Sequence, residues 1–107
     1  MITITDRERR LTLQLPLEVS GQDAAGTAFT ETAQSLNISG GGICFETARQ
    51  LLVGNRLLLK IRLPRALQKR FGDRSVYRVK AVICRVENFE GEAAHRIGAR
   101  FLEEAEP

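Results

Sequence analysis

A chain of 107 residues with 43% hydrophobic positions is long enough for one packed domain and too short for two. Trp is absent and aromatics make up only 6%, so Leu, Ile, Val and Ala must supply most of the core. The net charge of +3 is mild but unevenly placed, which suggests an anionic ligand or partner on one face, and no apolar run reaches the length of a membrane span.

From the N-terminus, MITITDRERR places charge where a secretory signal would carry its apolar segment. Together with the missing span, this points to a cytoplasmic protein with no membrane insertion. The next stretch, Leu11 to Val19, alternates strictly. Leu11, Leu13, Leu15, Leu17 and Val19 share one face against Thr12, Gln14 and Glu18, the pattern of a half-buried strand. Pro16 cannot donate to a ladder and is expected at an edge or a bulge. Gly21 to Gly26 reads as a turn, and the Thr-rich segment from Thr27 to Leu36 as a polar, partly exposed strand.

Asn37-Ile38-Ser39-Gly40-Gly41-Gly42 reads as a second turn, followed by a short strand from Ile43 to Glu46. A Gly54-Asn55 turn leads into Arg56 to Pro64, where Leu57, Leu59, Ile61 and Leu63 oppose Lys60 and Arg62. Pro64 to Arg74 has room for a helical turn but lacks the apolar period of a full helix. Val76 to Glu87 is the strongest strand signal, with a bulge expected between Val82 and Val86 where apolar residues occupy both faces. A hairpin then leads to Arg96 to Leu102, with Ile97, Ala99 and Phe101 inward.

Six short strands, glycine-rich turns and little or no helix predict an all-β, six-stranded antiparallel β-barrel, since closure removes the exposed edges of a small open sheet. The expected organisation is an N-terminal arm over residues 1–10, the barrel over 11–102 and an acidic tail over 103–107.

Two features carry a functional signal: the cluster Arg7, Arg9 and Arg10, and the segment containing Asn37, Ser39 and Gly42. Here the chain resembles the PilZ domain family. That family carries an R-x-x-x-R motif ahead of its first strand and a [D/N]-x-S-x-x-G motif between its second and third. Asn37, Ser39 and Gly42 match the second motif at every specified position, and Ile97 to Phe101, IGARF, is similar to the family's last strand. Arg10 stands where the second arginine of the first motif would stand, Asp6 replaces the first, and Arg7 and Arg9 lie between them.

The resemblance implies a PilZ-like barrel and a receptor for cyclic di-GMP, held by Arg7, Arg9, Arg10, Asn37, Ser39 and Gly42, with an output to an unidentified protein partner. Cyclic di-GMP offers two phosphates and two guanines. A guanidinium can grip a phosphate or the O6/N7 edge of guanine with two parallel bonds, or stack on a purine face, which an ammonium cannot do with the same geometry. Asn37 and Ser39 supply short polar groups. Gly42 permits either close backbone approach or positive φ. Asp6 motivates the alternative, a PilZ-like adaptor in motility or pilus assembly that has lost ligand binding.

Catalysis is not expected. Gly40 to Gly42 lacks the G-K-[S/T] of a phosphate loop, and His95, read as an exposed hairpin residue, is the sole histidine. Neither a metal site nor a cofactor is therefore expected. Cys44 and Cys84 form no C-x-x-C pair and read as two buried thiols. A basic stretch comprising Lys60, Arg62, Arg65, Lys69, Arg70, Arg74, Arg78 and Lys80 motivates a third reading, a nucleic-acid-binding barrel. Phe71 and Tyr77 are too thin a stacking platform to favour it. Both monomer and homodimer remain open.

Overall fold

The computed structural model describes residues 14–88 and 93–105. Among the described residues each alternating segment forms a strand, while Leu11, Thr12 and Leu13 of the first one lie outside them. The described residues comprise β1 (Pro16–Gln22), β2 (Ala28–Ile38), β3 (Gly42–Thr47), β4 (Arg56–Arg62), the single-turn α1 (Arg65–Gln68) with a 3-10 turn (Lys69–Phe71), β5 (Val76–Asn88) and β6 (His95–Glu104). They close into a barrel in the order β1-β2-β3-β6-β5-β4, every neighbouring pair antiparallel.

Inward positions follow the alternation. Leu17 and Val19, Leu57, Leu59 and Ile61, Val79, Ala81 and Ile83, and Ile97 and Ala99 form one contiguous buried core with Ile43 and Phe45. Tyr77 and Phe101 are half-buried against it, and the Tyr77 ring lies between Phe71 at 4.9 Å and Phe101 at 5.6 Å. Burial pushes the Tyr77 phenol above its ordinary value, opposed by the Arg74 guanidinium, so the ring stays un-ionised at neutral pH.

The two ends of the barrel are closed differently. After β4, Leu67 and Phe71 turn inward from α1 and its 3-10 extension, and Gly72 at φ 76° ends the segment. Across the opposite end, Arg49 bonds Glu31 at 2.7 Å, and its guanidinium carbon lies 4.3 Å from the centroid of the Phe29 ring. Thr47 donates to Glu31 at 2.9 Å.

Several sequence expectations are refined. Pro16 opens β1, where its missing N–H costs the ladder least, instead of marking a bulge. β1 continues through Gln22, and the turn after it is held by Asp23 Oδ1, which accepts from the Ala25 and Thr27 amides at 3.0 Å each. β6 runs on through Glu103 and Glu104, and the Ala105 amide still donates to Arg78 O at 2.9 Å. Cys84 is exposed, contrary to the expectation of two buried thiols, whereas Cys44 is buried. Alternation from the inward Ile83 already turns Cys84 outward, and the expected β5 bulge adds Arg85 to the same face. Ile83 pairs with Ala99 and Arg85 with Gly98, so Cys84 is the extra residue.

Ser35 is the fully buried polar residue of β2. Its Oγ accepts from the Leu15 amide at 2.9 Å, and its amide donates to Leu15 O at 3.0 Å, tying the chain ahead of β1 to β2. Ser35→Ala strands that Leu15 N–H and is expected to cost about 1–3 kcal/mol, read as a lower urea midpoint at unchanged slope.

Candidate functional site

A cleft of about 220 Å³ lies on the outer surface where β2 ends and β3, β6 and β5 run side by side. Its position follows from strand register. Asn37 pairs with Cys44, Cys44 with Gly98, and Gly98 with Arg85, placing these four residues in one row across four strands. Beside it, Gly42 pairs with Arg100, Arg100 with Val82, and Val82 with Arg56. Small residues therefore form the floor, while Asn37, Arg85 and Arg100 stand on its rim.

Asn37 reaches this face through a bulge. Ser35 pairs with Phe45 and Asn37 with Cys44, so Leu36 is an extra residue in β2. Simple alternation from the inward Ser35 would have sent Asn37 inward and Ile38 outward. The bulge reverses this phase, burying Ile38 to 1% exposure and turning Asn37 to the cleft. Asn37 thus belongs to a strand and not, as the sequence pattern implied, to the turn.

The turn itself spans Ser39 to Gly42. The Ser39 amide donates to Gly42 O at 2.9 Å, and Ser39 Oγ accepts from the Gly41 amide at 3.2 Å. Gly41 O accepts from the Phe101 amide at 2.9 Å, locking the turn to β6. Gly42 has no positive φ. What it requires is space, because a Cβ there would lie 2.6 Å from Ala99 O. Of the two roles open to this glycine, close approach is the one observed.

Arg85 lies over Gly98, where an added Cβ would come within 3.4 Å of the guanidinium carbon. Arg85 Nε also faces Glu87 Oε1 at 3.5 Å, a surface pair that holds the side chain loosely. Arg100 is exposed and forms no ion pair among the described residues. Two guanidinium groups thus border a floor without bulky side chains, a setting suited to a planar base and an anionic phosphate.

Of the residues named from sequence, Asn37, Ser39 and Gly42 come together on this cleft. Arg7, Arg9 and Arg10 lie outside the described residues. Arg85 and Arg100 were not anticipated. The signal for Arg100 was present, since placing Ile97, Ala99 and Phe101 inward puts Arg96, Gly98 and Arg100 outward. His95 is half-buried at the start of β6, not exposed in a hairpin, and its Nδ1 is buried without a hydrogen-bond partner among the described residues. It lines a separate depression and does not reach the cleft.

The sequence matches the family model of the PilZ domain over residues 5–107. No curated protein matches the chain. Among solved structures, the fold is similar to the Bacillus subtilis inhibitor of motility MotI/DgrA, with a TM-score of 0.70 and 24% identity over 95% of this chain and 45% of that one. It is also similar to the PilZ domain with c-di-GMP of YcgR from Escherichia coli, with a TM-score of 0.57 and 18% identity over 88% of this chain and 75% of that one. The PilZ domain of CeSA from a cellulose-synthesizing bacterium gives a TM-score of 0.56 at 18% identity, over 89% of this chain and 81% of that one. The chain thus spans less than half the length of the MotI structure.

The closed barrel and its family match define a regulatory receptor or adaptor domain. The chain belongs to the PilZ domain family of cyclic di-GMP receptors. No helix among the described residues is long and apolar enough to cross a membrane.

Proposed function

We propose that this chain binds cyclic di-GMP in the cleft at the end of β2 and transmits its occupancy to a protein partner without catalysing a reaction. The observation that carries this reading is the convergence of Asn37, Ser39 and Gly42 with Arg85 and Arg100 around one floor of small residues. Arg85 and Arg100 supply phosphate or guanine contacts, Asn37 and Ser39 add short polar contacts, and the floor admits a purine face.

Arg7, Arg9 and Arg10 complete the site from the N-terminal side. Leu15 is hydrogen-bonded to Ser35, two residues from Asn37, so the chain enters the barrel beside the cleft. The five residue steps from Leu15 back to Arg10 span at most about 17 Å, enough for a guanidinium to reach a ligand on the cleft floor. Reordering of this arm on the ligand would be the transmitted change, and the proposed role is that of a cytoplasmic receptor.

Titration calorimetry tests the reading. Cyclic di-GMP is expected to bind with micromolar or tighter affinity, and Arg10→Ala to weaken it at least about tenfold by removing a charge-assisted contact, with an unchanged circular dichroism spectrum. Normal affinity in that variant would remove Arg10 from the site. Asp6 favours a second reading, an adaptor without ligand, for which calorimetry would give no heat at millimolar messenger.

A further inference from the structure

A second surface borders the cleft at the Val82–Arg56 pair. On the outer face of β4 and β5, Arg56 and Lys60 flank Leu58 along its own strand, and Lys80 stands directly opposite it. Lys60 and Arg78 also stand directly opposite each other, a like-charge pairing that a sheet optimised only for stability avoids. Glu18 and Glu103 offset part of this charge, at 3.8 Å from Lys60 and 3.7 Å from Lys80. Arg56 and Arg78 form no ion pair among the described residues.

Leu58 is 46% exposed at the centre of these cations. A notch of about 40 Å³ opens beside it, bordered by Lys60 and Arg78, by Ala105, and on the β1 side by Ser20 and Glu18, whose carboxylate is the one paired with Lys60. A single exposed leucine is ordinary on a protein surface. One framed by Arg56, Lys60, Arg78 and Lys80, with a notch the size of a small apolar group, is the arrangement of an interface: an apolar centre within a charged rim.

We propose that this face of β4 and β5 is the docking surface for an acidic segment of a partner protein, which sets one apolar side chain on Leu58 while its carboxylates meet Arg56, Lys60, Arg78 and Lys80. Charge complementarity fixes the partner as anionic, and Leu58 distinguishes a peptide from a nucleic acid. A single-stranded nucleic acid needs aromatic platforms. The nearby aromatic, Tyr77, is instead held between Phe71 and Phe101. None of these residues lines the cleft, so the proposal goes beyond the messenger reading and stands apart from it.

Amide chemical-shift titrations without messenger test it, using three probes of equal charge: a glutamate-rich peptide with one central leucine, the same peptide with serine in that place, and a thymidine oligonucleotide. The leucine peptide is expected to shift Leu58, Lys60, Arg78 and Lys80 and to bind about tenfold more tightly than the serine peptide, as burial of one aliphatic side chain predicts. Leu58→Ser should erase that difference, and Arg78→Glu with Lys80→Glu should abolish binding of both peptides while the spectrum stays that of a folded barrel. Equal affinity for the two peptides, tighter binding of the oligonucleotide, or shifts confined to other faces would each overturn the proposal. Because no messenger is present, such a failure is distinct from a failure of cyclic di-GMP binding.

Discussion

Arg85→Ala combined with Arg100→Ala is expected to lower the affinity for cyclic di-GMP by about a hundredfold or more, while the barrel unfolds at nearly the same urea concentration as the parent. Each guanidinium contact to a phosphate or guanine is a charge-assisted bond, and losing one costs about 1.5–3 kcal/mol. That corresponds to roughly ten- to a hundredfold per residue. Both side chains are exposed, and the Arg85–Glu87 pair at 3.5 Å is a surface contact worth under about 1 kcal/mol. The effect on binding should therefore far exceed the effect on folding. Parent-like affinity in the double variant, measured by calorimetry, would show that the ligand lies elsewhere.

Gly42→Ala should do the reverse and damage fold and site together. The new Cβ would lie 2.6 Å from Ala99 O, a backbone atom of β6 that cannot swing aside. Separating β3 from β6 to relieve this contact should cost about 1–3 kcal/mol, the usual range for overpacking. It would also displace Gly98 and Arg100, which sit on the adjoining strand of the cleft. Gly98→Ala provides the contrast. Its Cβ would meet Arg85 Cβ at 3.3 Å, which need yield only a few tenths of an ångström, and the guanidinium at 3.4 Å, which can rotate away. Affinity should fall there with a smaller loss of stability than at Gly42. Similar urea midpoints for the two variants would contradict the distinction between a backbone clash and a side-chain clash.

The contrast also shows what the amino-acid pattern reveals. Strict alternation from Leu57 to Leu63 and again from Val79 to Ile83 specified the inner faces, because a half-buried sheet ties every second residue to the core. The barrel could be read on that basis, the β5 bulge from apolar residues on both faces between Val82 and Val86, and the Asn37–Gly42 region from its resemblance to the family's motif. Phase shifts were harder. The extra Leu36 in β2 turns Asn37 outward, yet nothing in Ser35-Leu36-Asn37 distinguishes a bulge from regular strand. Cys84 reads as a buried thiol only from the general habit of cysteine, whereas alternation from Ile83 puts it outside, and the pairing of Arg85 with Gly98 turns Arg85 outward beside it. A third irregularity, between Lys80 and Ala81, was not foreseen at all.

Arg85 and Arg100 escaped notice for a related reason. Arginine on an outer strand face is usually a solvated charge, and its meaning depends on what lies across the sheet. Gly98 beside Arg85 and Gly42 beside Arg100 turn two ordinary surface residues into the rim of a cleft. Gly42 and Arg100 belong to strands far apart in the chain, which local sequence cannot bring together, and the pairing of Arg85 with Gly98 on the consecutive strands β5 and β6 depends on the bulge at Cys84.

The most direct test is a chemical-shift titration of the labelled protein with cyclic di-GMP. The account predicts that the largest amide changes fall on Asn37, Gly41, Gly42, Gly98 and Arg100, with Arg85 and Cys84 following along β5. If the messenger binds and those amides stay still while another face responds, the cleft is not its receptor site.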